Sequence, residues 1–577
     1  MAPSPEPRSP QQRHRSHNTD NVGGARQTGR VHLVLSRGPG GVSLTELDDS
    51  GAIVRGPDEV VDLAVEVAVR ERASAAARWV WDDTSRWYPE LLRAGVRVDR
   101  CIDLRLCRTI LRNSTLTAAS ALAMSARDGW DEPTPERRRG GTALFEVDEQ
   151  PDDGAMGELA RQRAAVVSAA DPARVGLLLA AESAGALIAA EMRFAGLPWR
   201  TDVHDAMLSG LLGPRPVGDH RPAKMQAVLE AVRATLDTPT LNPDSPPELL
   251  GALGRAGLQV QSTRSWELQS IDHPAIAPLL EYKKMARLLS ANGWNWLDTN
   301  VADGRFRPDY VPGGVVTGRW ASKGGGGALQ LPRQIRGAVI ADPGWKLVVA
   351  DAAQLEPRIL AALSADRGMA EAGSAGDLYA GIVASGAVDT RAHAKVAMLG
   401  AMYGATSGES GRLLPRLAKA YPRAIAFVEE AARAGERGDI VTTRLGRSSP
   451  RGATAGYDET ATPADITSAR AKARSWGRFT RNFVVQGTAA EWALCWMAGL
   501  RGRLLGLGQA RGDFTSGAHL VFFLHDEVVV HCPEGLAEQV ELELRAAAAD
   551  AGRLLFGALP VEFPITVAIV QDYGQAK

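Results

Sequence analysis

Apolar and polar positions are patterned differently in successive stretches of the chain. Val31 to Leu35 and Ala52 to Val54 read as short strands around the Gly-rich turn Gly38 to Gly41, and Glu59 to Trp81 carries helical periodicity. A small α/β unit is therefore predicted. It ends in the polar stretch Asp128 to Gly157, where Pro133, Pro135 and the Arg137 to Arg139 run interrupt any regular pattern. From Arg174 to Gly210 the chain is Ala- and Leu-rich at helical spacing, and it stays largely helical to about Asn292. From Arg305 it turns to Gly-rich turns (Gly313 to Gly318, Gly324 to Gly327) and β-branched runs, with Lys346 to Ala350 as a buried strand. Helical pattern returns over Arg391 to Ala434 and Ile466 to Leu504, and strands close the chain at Ala518 to His531 and Pro564 to Ile569. A strand region split by a helical insertion results, with no internal repeat.

Composition changes this picture little. A chain of 577 residues predicts three or four domain-sized units. Hydrophobic content of 45% and charged content of 23% are ordinary for globular proteins. The longest apolar runs, such as Val175 to Ala181, fall short of the ~20 residues a bilayer span needs, so no membrane partner is expected. Met1 to Arg30 lacks any apolar stretch and reads as a disordered basic arm rather than a signal peptide. Four cysteines without a CxxC pair argue against a zinc site or disulfide framework and fit a reducing cytoplasm. The formal net charge is −1, yet between Thr442 and Asn482 eight basic residues face three acids. For a charge run alone, a solvated helix face is the simpler reading.

The acids are more informative. Lys346-Leu-Val-Val-Ala-Asp351 runs an apolar strand into a carboxylate, followed by a helix from Ala352 to Ser364 that bears Gln354, Glu356 and Arg358. Far downstream, His525-Asp526-Glu527 sits between two apolar halves, as a hairpin tip would. Asp351 and Asp526 can then meet at neighbouring strand ends. Such a pair suits two Mg²⁺ ions, which take one or two carboxylates and complete their shell from water and phosphate oxygens. Taken singly, Asp351 reads first as a helix cap after a strand, while a polar turn fits the tripeptide less well because it lies between two apolar runs.

Arg391, Lys395, Leu399 and Tyr403 recur every four residues and share one helix face. The two cations can clamp a triphosphate, and Tyr403 can pack against a base. An ordinary amphipathic helix is the competing reading. Arg478, Asn482 and Gln486 repeat the spacing, with side chains suited to base edges or sugars.

In order, these segments resemble family A DNA polymerases, the group typified by bacterial DNA polymerase I, over about Arg174 to Lys577. Asp351-Ala-Ala-Gln354-Leu-Glu356-Pro-Arg358 resembles motif A, Arg391 through Tyr403-Gly404 motif B, and His525-Asp526-Glu527 motif C. Thr317-Gly318-Arg319, Leu329-Gln330-Leu-Pro332 and Arg478 to Gln486-Gly-Thr-Ala-Ala fill the intervening places. The resemblance implies a multidomain α/β right hand behind a ribonuclease H-like, 3′-5′ exonuclease-type domain. The divisions are 31–170 for that domain, 171–299 for thumb and connecting helices, 300–370 and 486–577 for palm, and 371–485 for fingers. It makes Asp351 and Asp526 the ligands of two Mg²⁺ ions (Mn²⁺ as an alternative), with Lys395 catalytic beside them. Arg391, Lys395, Leu399, Tyr403, Glu356 and Gln354 bind the incoming deoxynucleoside triphosphate, with Glu356 as a steric gate against a ribose 2′-OH. Arg319, Gln330, Arg478, Asn482, Gln486 and His525 contact primer-template DNA, and Glu527 supports the site. A cytoplasmic, nucleoid-associated monomer acting in replication or repair is expected. The alternatives are a catalytically silent DNA-binding scaffold and a single-subunit RNA polymerase.

Three positions depart from the family pattern: Leu399 stands where Phe or Tyr is usual, and Ala352 and Ala353 replace an aromatic and a small polar residue. Trp79 to Asn113 resembles part of the exonuclease domain. However, the first strand, Val31-His-Leu-Val-Leu-Ser36, lacks the Asp-x-Glu pair, and Glu46, Asp48, Asp82, Asp83 and Asp103 lack the expected spacing. Loss of proofreading is expected, as is the lack of a 5′ nuclease domain.

Overall fold

The computed structural model describes residues 31–576 apart from 39, 74–76, 133–153, 219, 324–328, 375, 406–407, 453–461 and 508–512. The predicted arm, the turn at Gly324 to Gly327, most of the Asp128 to Gly157 break and two of the three acids in the basic stretch (Asp458, Glu459) lie outside the described residues.

Five strands form the first sheet: β1 (Val31–Gly38), β2 (Gly41–Leu47), β3 (Ile53–Val60), β4 (Ala77–Trp81) and β5 (Cys101–Asp103), in the order β3-β2-β1-β4-β5. β1 and β2 make an antiparallel hairpin closed at Gly38 and Gly41, while β4 runs parallel to β1 and β5 parallel to β4. The helical periodicity assigned to Glu59 to Trp81 holds only over Leu63–Ala73, because Ala77–Trp81 is a strand. Trp79, Val80 and Trp81 are all buried, and a parallel strand covered on both faces has no alternation to betray it.

Helix α1 (Pro172–Ala195) opens with Asp171 capping Arg174 N and Pro172 in the first turn. Contrary to the expectation from run length, it is long and apolar enough to cross a bilayer, but 67% of its apolar window is buried inside the protein. It is the shared wall of the molecule: Leu187 belongs to the core under the first sheet, Ile188 and Met192 to the main core. Two acids on α1 are buried with cations. Glu182 pairs with Arg447 at 2.7 Å. Glu191 meets Arg97 at 2.8 Å, Arg501 at 2.6 Å and the Tyr88 hydroxyl at 2.6 Å.

The second sheet is antiparallel: β6 (Trp345–Ala352), β7 (His519–Leu524), β8 (Glu527–Pro533) and β9 (Ile565–Val570), in the order β7-β8-β6-β9. Its central strands are buried, with Leu347 to Ala350 and Val528 to Val530 all at 3% exposure or less. The insertion between β6 and β7 carries α2 (Leu355–Ser364), α3 (Arg391–Tyr403) and α4 (Pro463–Leu507) among its helices. The helical stretch from Arg391 to Ala434 is three helices, broken where Gly404 turns left-handed (φ 74°) and where Pro422 starts a new first turn. α4 is a single helix of 45 residues, so the 485/486 division falls inside it. Helix α5 (Ala537–Phe556) packs on α4, where Trp496 donates to the Leu544 carbonyl at 3.1 Å. All four cysteines are free and buried.

Candidate active site

The site forms where β6 ends beside the β7–β8 turn. That turn is only two residues, His525 and Asp526, closed by the Leu524–Glu527 pair. So short a hairpin needs left-handed backbone, and His525 supplies it at φ 59°. Glu527 is therefore the first residue of β8, paired across the ladder with Asp351. The turn is pinned to β6 by Ala352 N donating to Asp526 O at 3.0 Å. Upstream, the Tyr310 hydroxyl donates to Phe523 O at 2.7 Å and accepts from Phe523 N at 2.8 Å, fixing the strand before it turns.

This anchoring brings two carboxylates together. Burial, and then the negative charge of Asp351, push the Asp526 carboxyl up to about 6. Among the described residues no group of three or more His, Cys, Asp or Glu is arranged to hold a metal. A pair of acids that repel at neutral pH does suit a hard divalent cation that completes its shell from water and phosphate. Glu527 is buried and takes a hydrogen bond from Tyr573, with Arg336 3.6 Å away and stacked over the Tyr573 ring.

A cleft opens beside Asp526, with Arg319, Glu356, His525 and Asp526 on its polar side and Trp320, Leu494 and Met497 on its apolar side. Glu356 bridges the cleft, accepting from Arg319 at 2.6 Å and from the Tyr403 hydroxyl at 2.9 Å. Burial, with the Glu356 charge behind it, raises the Tyr403 hydroxyl pKa, so the tyrosine stays protonated and able to donate. Burial and the Arg319 charge lower the His525 pKa.

The four-residue repeat on α3 does lie on one face, and that face is open: Arg391, Lys395, Leu399 and Tyr403 are all exposed, whereas Ala394, Ala397, Met398 and Ala401 are buried. Thr390 caps the helix through His393 N at 3.1 Å. Arg391 bonds Asp377 at 2.7 Å and lies over the Tyr379 ring. Gln354, in left-handed backbone between β6 and α2, donates to Asp377 at 2.9 Å and accepts from Leu378 N at 2.8 Å. Asp377 was not singled out in the sequence. Its available signal was an acid directly before an apolar helical run, the N-cap pattern it adopts.

Arg478, Asn482 and Gln486 lie along α4, with Arg478 exposed and the other two half-buried. Gln486 accepts from the Thr317 hydroxyl at 3.0 Å, and the buried amide nitrogen of Asn482 has no hydrogen-bond partner among the described residues. Gln330 is exposed and meets Arg287 at 3.4 Å, apart from this cluster. Of the eight cations between Thr442 and Asn482, three are committed within the protein: Arg444 to Leu555 O, Arg447 to Glu182, and Arg481 to Ala401 O and Glu429. The other five, Arg451, Arg470, Lys472, Arg474 and Arg478, are exposed.

Asp351 and Asp526 thus lie at the ends of strands in an antiparallel sheet, and Glu356 beside them is bonded to Tyr403 on the open face of α3. The fold is shared with a solved structure. It superposes on the POL domain of Pol1 from M. smegmatis, determined in complex with DNA primer-template and dNTP, with a TM-score of 0.62 at 18% identity, over 95% of this chain and 96% of that one. The sequence is 29% identical to the thermostable DNA polymerase I of Thermus filiformis over 334 residues, 53% of this chain and 37% of the relative. It is 30% identical to DNA polymerase I of Deinococcus radiodurans over 298 residues, 46% of this chain and 29% of that one. The chain thus spans well under half the length of these relatives. The profile of DNA polymerase family A matches residues 223–575, and the chain belongs to that family.

Proposed function

We propose that this protein is a template-directed DNA polymerase that adds deoxynucleotides to a primer 3′-OH. The observation that carries the reading is Glu356, which bonds Tyr403 on the exposed Arg391–Lys395–Leu399–Tyr403 face of α3 and lines the same cleft as Asp526. In this reading 300–370 and 486–577 are palm, 371–485 fingers and 171–299 thumb. Two divalent ions, held by Asp351 and Asp526, would lower the charge of the attacking and leaving oxygens. Arg391 and Lys395 hold the triphosphate from the open helix face, and Lys395 offsets charge on the leaving pyrophosphate. Tyr403 packs on the incoming base, and its hydroxyl keeps Glu356 turned across the cleft. Arg319, Gln330, Arg478, Asn482, Gln486 and His525 hold primer and template.

Glu356, held from two sides by Arg319 and Tyr403, is read as the group that excludes a 2′-OH. Glu356→Ala is expected to raise ribonucleotide use relative to deoxynucleotide use by roughly 5- to 150-fold, the equivalent of relieving ~1–3 kcal/mol of overpacking. Competitive single-nucleotide incorporation measures the ratio, and an unchanged ratio removes the gate.

The first domain is read as a structural relic of a nuclease. Its acids are committed elsewhere: Glu46 to Arg70, Asp48 to Ser50 and Ala52 N, Asp82 to Arg86 and Trp87, with Asp83 and Asp103 as helix caps. One gel tests both halves of the proposal. With matched and mismatched primer ends, extension of the matched primer and no shortening of the mismatched one is expected. Shortening that depends on Mg²⁺ would overturn the relic, and no extension would overturn the polymerase.

A further inference from the structure

We propose that the first domain positions the polymerase site through the loop Thr442 to Ser449, an inference that rests on the polymerase reading above. The loop is a tight antiparallel bend, bridged at Thr442 and Ser448. From the first domain, the buried Ser114 hydroxyl donates to Gly446 O at 2.6 Å, Thr115 N donates to the Ser448 hydroxyl at 2.9 Å, and the Thr115 and Thr442 hydroxyls meet at 2.8 Å. The bend turns through Gly446 at φ 120°, a conformation other residues rarely adopt, and a Cβ there would lie 2.7 Å from the Leu116 side chain. Arg174 at the start of α1 adds bonds to Arg444 O at 2.6 Å and Thr443 O at 3.3 Å.

The other side of the loop faces the DNA-contacting residues. Arg447, paired with Glu182, lies across Gly318 so tightly that no Cβ fits there, and Gly318 precedes Arg319. Thr443 bonds Glu491 on α4 and packs on Gly487, where a Cβ would come within 2.5 Å of the threonine methyl. Gly487 follows Gln486, which is held by Thr317. The loop therefore wedges between the first domain and the two segments that present Arg319 and Gln486. Ser114 and Thr115 act through it as positioning residues.

The test uses the full chain with Ser114→Ala and Thr115→Val combined, Thr115→Ser as the conservative variant, and Arg70→Met as a control that loosens the same domain away from the loop. Amide exchange of the segment 313–322 should quicken in the double variant and stay at the wild-type rate in Thr115→Ser and Arg70→Met. Primer-template dissociation constants, read by fluorescence anisotropy, should rise about 3- to 10-fold in the double variant alone, the loss of one or two hydrogen bonds' worth of positioning. Unchanged exchange at 313–322 overturns the brace whether or not the wild type extends primers. Faster exchange with unchanged DNA affinity overturns its service to the site. Wild-type protein that extends no primer overturns only the polymerase reading.

Discussion

Replacing Asp526 with Asn is expected to slow nucleotide addition by on the order of 10³-fold or more, with primer-template affinity nearly unchanged. The amide keeps the shape of the two-residue turn and the bond from Ala352 N to Asp526 O, which uses backbone alone. It removes one of the two negative groups at the sheet edge. In the proposed mechanism, several kcal/mol of charge stabilisation at the reacting phosphate would go with it, and each ~1.4 kcal/mol is tenfold in rate. Stability should move the opposite way in metal-free protein. The Asp526 carboxyl sits at about 6, above its ordinary value, because burial and Asp351 oppose its charge. Ionisation is therefore costlier in the folded state than in the unfolded one. Above about pH 6 the Asn variant should melt higher than wild type, and the difference should fade as pH falls toward the ordinary carboxylate range. Single-turnover incorporation and thermal melts in chelator measure the two effects. Near-normal incorporation by the variant would remove the pair from the chemistry.

The second large effect lies in the joint between the first domain and α4. Arg501→Met should destabilise the fold by ~3–5 kcal/mol, the usual loss when one partner of a buried ion pair is removed. Arg501 is buried, donates to Glu191 and reaches the carbonyls of Val98 and Asp99. Burial alone would raise the Glu191 pKa, but the Arg501 and Arg97 charges outweigh it and hold this carboxyl well below the usual range. A depressed acid contributes stability above its unfolded pKa, ~4.3, and loses it as pH falls. The gap between wild type and Arg501→Met should therefore be full near pH 7 and narrow below about pH 4. Denaturant titrations at both pH values test this, and a loss under ~1 kcal/mol at pH 7 would show that the joint is not a stabilising element.

The second sheet was readable because its strands announce themselves. Leu347 to Ala350 and Val528 to Val530 are apolar without interruption, and a polar tripeptide between two such runs leaves little but a hairpin. The face of α3 was readable because its helical period survives exposure of every fourth residue. Other features depend on distant partners. The strand Ala77–Trp81 was hidden in an apparent helix, since burial on both faces erases the two-residue period. The basic stretch from Thr442 onward looked uniform. Yet Arg447 is consumed by Glu182, some 265 positions earlier, and Arg481 by Glu429 and Ala401 O, while their neighbours on α4 remain exposed. Likewise Gln354 and Arg391 converge on Asp377 only once β6, α2 and α3 are packed. The carboxylate pair was legible as two strand ends, whereas the mutual charge that raises Asp526 appears only when the strands pair.

Single-nucleotide incorporation on a primer-template with each of the four templating bases is the most direct measurement. Wild-type protein with Mg²⁺ should add only the deoxynucleotide complementary to the templating base and add nothing in chelator. Tight primer-template binding with no Mg²⁺-dependent addition of any nucleotide would contradict the proposed activity and leave a DNA-binding scaffold.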